Sequence, residues 1–170
     1  MPTPVPQNTD LATILAAARD KLVADGVFAA SACFLTLNPD DLRFPPSDQF
    51  AAVCPGPQRI NTGVYVGGGR DIVVVEGQLT VSLWCRLALD QQPRDDSYLT
   101  DATLGALRRW RCVVNSLLLY QPLDGGGNQL LPKGFKWEGL DSYSRDYQGV
   151  GWGCLKSSFS FEWTMSLGCG

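Results

Sequence analysis

The chain contains no histidine among its 170 residues. Histidine is the commonest general base and the commonest transition-metal ligand, so its absence excludes a Ser-His-Asp triad and a histidine-bound metal. A cysteine nucleophile would likewise lack its imidazole partner. The sequence also contains no G-x-S-x-G elbow. These absences predict a protein that is not an enzyme and has no catalytic, cofactor-binding or metal-binding residues.

Closely spaced cysteines of the kind that bind zinc are also missing. None of the six cysteines forms a C-x-x-C pair: they are Cys33, Cys54, Cys85, Cys112, Cys154 and Cys169. Several lie in apolar contexts, and free cysteine is among the most buried residue types, so we expect reduced, buried thiols. A disulfide framework is the alternative, but such frameworks are typical of smaller secreted chains.

Charge and long apolar runs are scarce. Charged residues make up 18% of the chain, and the net charge is -3. No apolar run approaches the roughly 18 residues that span a membrane, and the proline-rich start does not resemble a signal peptide. The largest basic group, Arg108, Arg109 and Arg111, is too small to predict nucleic-acid binding. The low charge instead indicates surface that is buried against other chains.

Two polar features superficially suggest ligand sites. Gly67–Gly69 looks like a phosphate-binding loop, but it continues into Arg70, Asp71 and a β-branched run rather than a helix. We therefore predict a hairpin turn there. Asp95 and Asp96 occur in a proline-containing polar segment, so they are interpreted as solvated turn residues rather than a cation site.

The stretch Asp101–Tyr120 predicts a long central helix. Its apolar residues recur at steps of three or four and share one face: Leu104, Leu107, Trp110, Val114, Leu117 and Leu118. The residues expected to face a sheet are Leu107, Trp110 and Val114. Thr100 or Asp101 is predicted to cap this helix, and Pro122 to end it.

Strict alternation predicts strands at Leu79–Leu89 and Phe159–Leu167, the latter extending back to Gly151. Each strand has one apolar and one mostly polar face; the first polar face includes Thr80, Ser82 and Trp84. A capped N-terminal helix is predicted by the stripe Ile14, Leu15, Ala18 and Leu22. An apolar helix stripe and an apolar strand face can cover each other. We predict an α+β fold with a single, mostly antiparallel sheet, covered on one face by the N-terminal helix and the long central helix.

The whole chain, 1–170, is interpreted as a single domain. Within it we expect a flexible arm over 1–8, a Pro-rich excursion over 38–63 and a Gly/aromatic-rich excursion over 121–149. Short strands are expected at Phe28–Leu37, Phe50–Cys54, Val64–Val66, Ile72–Val75 and within Leu130–Leu140, and a polar loop at Asp141–Gly149.

This order of elements, from Thr9 to Leu167, resembles the tail-terminator (tail-completion or neck) proteins of long-tailed bacteriophages. The resemblance implies a non-enzymatic ring, usually a hexamer, that caps the tail tube protein and meets the head–tail connector protein. DNA would pass through the lumen without sequence-specific binding. The implied location is the head–tail junction of the virion, after synthesis in the host bacterial cytoplasm, with no membrane partner and no cofactor. The family has no catalytic signature, so no residue role is carried over.

Subunit contacts are expected where charge is concentrated. Arg108 and Arg111 are predicted to meet acidic loops such as Asp95 and Asp96 of a neighbour. Arg70 and Asp71 are further candidates, and a solvated helix face is the alternative interpretation of the arginines. Two other functions stay open: a different neck or tail protein (connector or tube), or a monomeric small-ligand-binding module with a pocket lined by Trp137, Trp152 or Tyr143.

Overall fold

The computed structural model of the protein describes residues 10–38, 44–45, 47–65, 72–87 and 105–166. These ranges contain two helices and a short 3-10 turn: α1 (Leu11–Ala24), the turn Ala30–Ala32 and α2 (Ala106–Leu117). The strands are β1 (Cys33–Leu35), β2 (Gln49–Tyr65), β3 (Ile72–Arg86), β4 (Lys136–Tyr147) and β5 (Val150–Ser166). The fold is therefore mixed α+β, as predicted.

The five strands form one sheet in the order β1-β2-β3-β5-β4. β1 pairs with β2 in parallel, and the other three pairings are antiparallel. β3 and β5 are the central pair, with Leu83 opposite Leu155 and Leu79 opposite Phe159. The prediction of a mostly antiparallel sheet is confirmed.

Helix α1 follows its sequence pattern closely. Asp10 caps its start by accepting a 3.1 Å hydrogen bond from the Ala12 N–H. The helix ends before Gly26, whose φ of 70° lies in the left-handed region that favours glycine. The predicted stripe is the buried one: Ile14, Leu15, Ala18 and Leu22.

Helix α2 is shorter than predicted. The sequence predicts this helix over Asp101–Tyr120, but it has 12 residues, fewer than the 14 of α1. Its N-cap is Gly105 rather than Thr100 or Asp101. It ends at Leu117, before Pro122, and Leu119 then adopts a φ of 61°. Leu104 lies outside the described residues.

The buried face of α2 also differs from the predicted one. The buried residues are Ala106, Val113 and Leu117, with Trp110 and Val114 partly buried against the same core. Leu107 and Leu118 are 38% and 46% exposed. The expectation that Leu107 faces the sheet is therefore wrong, because the face packed on the core follows the spacing of Trp110, Val113 and Leu117, and Leu107 lies beside that face.

One apolar core contains buried residues of both helices and of alternate sheet positions. β3 contributes Val73, Val75, Leu79, Val81, Leu83 and Cys85 to it. Trp110 also donates a 2.8 Å hydrogen bond from Nε1 to Ser157 Oγ on β5. We call this side of the sheet the helix side, and the opposite side the far side.

The predicted Pro-rich excursion over 38–63 is wrong from residue 49 onward. The strand expected at Phe50–Cys54 continues to Tyr65, through Pro55 and Pro57. β1 pairs only with Ala51–Val53, so β2 lies at the sheet edge beyond this point, where proline removes no ladder hydrogen bond. A register shift between Pro55 and Gln58 accommodates the two prolines.

The strands predicted at Ile72–Val75 and Leu79–Leu89 are one continuous strand, β3, which ends at Arg86. The strand predicted at Phe28–Leu37 is wrong over most of its length, since only Cys33–Leu35 pairs. The hairpin turn expected at Gly67–Gly69 lies outside the described residues.

The predicted Gly/aromatic-rich excursion over 121–149 is wrong in its second half. Lys136–Tyr147, which includes most of the polar loop expected at Asp141–Gly149, is the edge strand β4. It joins β5 through Gln148 and Gly149, whose φ values of 54° and 76° suit a two-residue hairpin. Most of its side chains are exposed, so its composition resembles that of a loop.

Gly77 on β3 is tightly enclosed by its neighbours. A methyl group there would collide with Gln58 Oε1 and lie 2.8 Å from Phe161 Cε2. We expect Gly77→Ala to lower the free energy of unfolding by about 1–3 kcal/mol, because the buried Phe161 ring and the Gln58 side chain must both shift. Urea denaturation measures this change.

Gly139 on β4 supplies the matched control, since an added methyl there meets nothing within 4 Å. Gly139→Ala should change the free energy of unfolding by less than about 0.5 kcal/mol. Equal losses in the two variants would contradict the close packing at Gly77.

Asp25 ties the end of α1 to α2. Its carboxylate accepts a 2.7 Å hydrogen bond from Lys21 Nζ and another from Ser116, and these hold its pKa below the ordinary value of 3.8. A lowered pKa in the folded state stabilises the fold above the unfolded pKa, and this contribution is lost as the pH falls through the folded pKa.

Asp25→Asn should therefore lower stability at neutral pH by less than about 1 kcal/mol, since the pair is partly solvated. The difference from the native chain should shrink as the pH falls from about 6 to about 3. Denaturant unfolding across this range measures it. A difference that stays constant with pH would contradict the role of the Asp25 carboxylate.

Candidate assembly surfaces

The far side of the sheet carries a second apolar cluster that the alternation of β3 does not predict. Its buried members are Phe50, Trp84, Trp152 and Cys154, with Phe34, Phe44 and Tyr147 packed around them. Phe44 lies with its ring centroid 5.0 Å from that of Trp84 and 4.8 Å from that of Trp152. We call this set the aromatic cluster. Thr80, Ser82 and Trp84, expected on a polar face, are 8%, 0% and 0% exposed.

At this end of the sheet both faces of β3 are buried, the far side by the aromatic cluster and the helix side by the main core. Trp84 stacks beside Phe50, its partner on β2, and meets the edge of Tyr143 at a centroid distance of 5.4 Å. The sequence signal for this arrangement is Trp84 itself, since a large aromatic side chain at a polar-face position needs other apolar side chains to bury it. Asp48 and Arg86, 3.6 Å apart, lie in a groove of about 360 Å³ beside the cluster.

The three aromatic residues proposed to line a ligand pocket do not converge. Trp152 lies in the aromatic cluster, and Tyr143 lies against Trp84. Trp137 lies on the helix side, with its ring 5.9 Å from that of Trp110. The three side chains therefore do not line one common pocket, although Trp152 does line the groove beside the aromatic cluster.

A row of charged residues crosses the far side at the other end of the sheet. Arg59 lies opposite Glu76, and Glu76 lies opposite Glu162. Lys133 then pairs with Glu162 at 2.8 Å. We call these four residues the charge row; they line a cavity of about 320 Å³. A mixed row of acidic and basic side chains of this kind suits a polar contact with another protein.

The two arginines predicted to form a subunit contact are on the surface of α2. Arg108 and Arg111 are both exposed, whereas Arg109 lies partly buried with its guanidinium 5.5 Å from the centre of the Phe28 ring. The other interface candidates, Asp95, Asp96, Arg70 and Asp71, lie outside the described residues. The pairing between arginines and acidic loops therefore stays a prediction.

The cysteines offer little reactive chemistry. Cys33, Cys54, Cys85 and Cys154 are buried, as expected, whereas Cys112 is exposed. Burial raises the pKa of the Cys33 thiol to about 11 and that of Cys85 to about 12. Both thiols stay protonated at neutral pH and are poor nucleophiles.

Within the described ranges, no group of three or more cysteine, aspartate or glutamate side chains is arranged to hold a metal ion. In the same part of the chain, neither helix is long and apolar enough to cross a membrane.

Comparison with known proteins gives a match at the level of structure. No family model matches the chain, and no curated protein gives a significant match. The fold is similar to the sheath/tube terminator of PVC, an extracellular contractile injection system, seen by cryo-EM in its extended state. The TM-score is 0.55 at 13% sequence identity, covering 96% of this chain but 59% of that one. This likeness shows a tail-terminator-like fold, in a chain that spans under two thirds of its neighbour's length.

Proposed function

We propose that this protein is a non-enzymatic structural component that closes the end of a tail tube as a ring of identical subunits. The observation that carries the proposal is the likeness to a sheath/tube terminator over 96% of the chain. In a long-tailed phage the ring would be a hexamer at the head–tail junction, with the tail tube protein on one side and the head connector on the other. A connector or tube protein is the nearest alternative.

The surface chemistry supports assembly rather than catalysis. A closed ring uses head-to-tail contacts, so each subunit needs two different adhesive surfaces. The described surface offers exposed arginines on α2, the charge row and two sheet edges at opposite ends of the strand order. The net charge of -3 suits a lumen through which DNA passes without adhering.

The solution mass of the purified full chain tests the proposal. We expect a discrete closed oligomer by analytical ultracentrifugation. A monomer at every concentration would contradict the ring.

Arg108 and Arg111 provide a sharper test of how the subunits associate. The double variant R108E/R111E should weaken association about fivefold, since two exposed charge pairs contribute on the order of 1 kcal/mol together. The difference should shrink in about 0.5 M salt, where charges are screened. Sedimentation at several concentrations measures the association constant.

The control is R108K/R111K, which keeps both charges and should assemble as the native chain does. Circular dichroism should show that both variants fold. If R108E/R111E assembles as the native chain does, the two arginines are solvated surface residues and do not form a subunit contact.

A further inference from the structure

The sheet has two edges that lack a strand partner in the described part of the chain. One is the outer edge of β4, which pairs only with β5. The other is β2 beyond Val53, where β1 has ended. An unpaired strand edge presents a row of backbone N–H and C=O groups and is a template for another strand.

The directions of these two edge strands are complementary. β2, β3, β5 and β4 are successive antiparallel neighbours, so β4 runs opposite to β2. Placing β4 of one copy beside β2 of the next therefore continues the same antiparallel sheet. The contact joins two different surfaces, as a head-to-tail ring requires.

Side chains on the helix side of these edges are also complementary. Ile60 on β2 is 47% exposed, and Trp137 on β4 is 41% exposed. Ile60 lines an open groove of about 710 Å³ together with Trp163 and Met165. In a continued sheet, neighbouring strands place side chains of one face next to each other, so Trp137 of one copy would fill this groove of the next.

Side chains on the far side carry opposite charges. Arg59 belongs to the charge row, and no ion pair among the described residues includes it. Glu138 on β4 accepts a hydrogen bond from Ser160, which places its carboxylate on the far side as well. Pairing Ile60 with Trp137 brings Arg59 beside Glu138. The acidic Glu138 of one copy then lies next to Arg59, at the β2 end of the charge row in the next copy.

We propose that copies of this chain join by sheet continuation: the outer edge of Lys136–Gly139 in β4 of one copy pairs antiparallel with Gln58–Asn61 of β2 in the next. The pairing is confined to this stretch because β1 occupies the β2 edge at Ala51–Val53. Trp137 then covers Ile60, and Glu138 pairs with Arg59 across the boundary. The inference rests on the proposed ring and names its interface. Pairing of β4 with β4 around a two-fold axis is the competing arrangement, and it would leave Ile60 and Arg59 uncovered.

Engineered disulfides test this geometry in the full chain. In a background with Cys112→Ser and Cys169→Ser, the double variant R59C/E138C should form covalent oligomers on mild oxidation, up to the ring size. Opposed residues of antiparallel strands lie about 4.5–5.5 Å apart at Cα, within disulfide range. Non-reducing electrophoresis separates the products.

The single variants are the controls. R59C alone and E138C alone should each stay uncrosslinked, because each cysteine then lacks its partner. A covalent dimer from E138C alone would overturn the proposal in favour of β4 pairing with itself.

Charge exchange supplies a second measurement that does not depend on disulfide geometry. R59E and E138R should each weaken association about tenfold in sedimentation experiments, and R59E/E138R should restore it. Arg86→Glu, at the opposite end of the sheet on the same side, is the matched control and should change association less than twofold.

The results of these experiments distinguish a failure of this interface from a failure of the proposed ring. A native ring without crosslinks in R59C/E138C, and without an effect of charge exchange, would overturn the interface and leave the ring standing. A native chain that is monomeric at every concentration would overturn both.

Discussion

The long antiparallel pairing of β3 with β5 is the contact on which the rest of the structure depends. It runs from Ile72 opposite Ser166 to Arg86 opposite Trp152. One side of this pair joins the core that contains both helices, and the other carries the aromatic cluster. A slip of one residue would exchange these two sets, so burial on both faces fixes the register. The register in turn decides which strands lie at the edges and which side chains they present.

The sequence predicts those elements whose burial follows a simple period. The stripe of α1 and the alternation of β5 are reproduced, because each presents one face to the core. Prediction from the sequence fails where a strand's position in the sheet, rather than its local composition, decides which side chains are buried. β4 looks like a polar loop because an edge strand exposes most of its side chains. β2 looks irregular because Pro55 is tolerated only where β1 has ended and β2 has a strand partner on one side alone. Trp84 sits at a position that alternation alone assigns to solvent, and only cross-strand neighbours from β2 and β5 account for its burial.

Only some of the candidate assembly surfaces could be predicted from the sequence. The exposure of Arg108 and Arg111 follows from their place opposite the apolar stripe of α2. The edge surfaces do not follow, because Arg59 and Glu138 come close to a sheet boundary only through the strand order. The two sheet edges that lack a strand partner among the described residues run in opposite directions, which suits the association proposed above. Mixed charge on the far side would give that association specificity and salt dependence more than affinity.

The position of the chain in assembled particles tests this account most directly. An affinity-tagged copy, labelled with gold and imaged by electron microscopy, reports where along a tail the protein lies. The account predicts label at one end of the tail tube only, at the junction with the head in a phage particle. Label distributed along the tube, or particles that carry none, would contradict it.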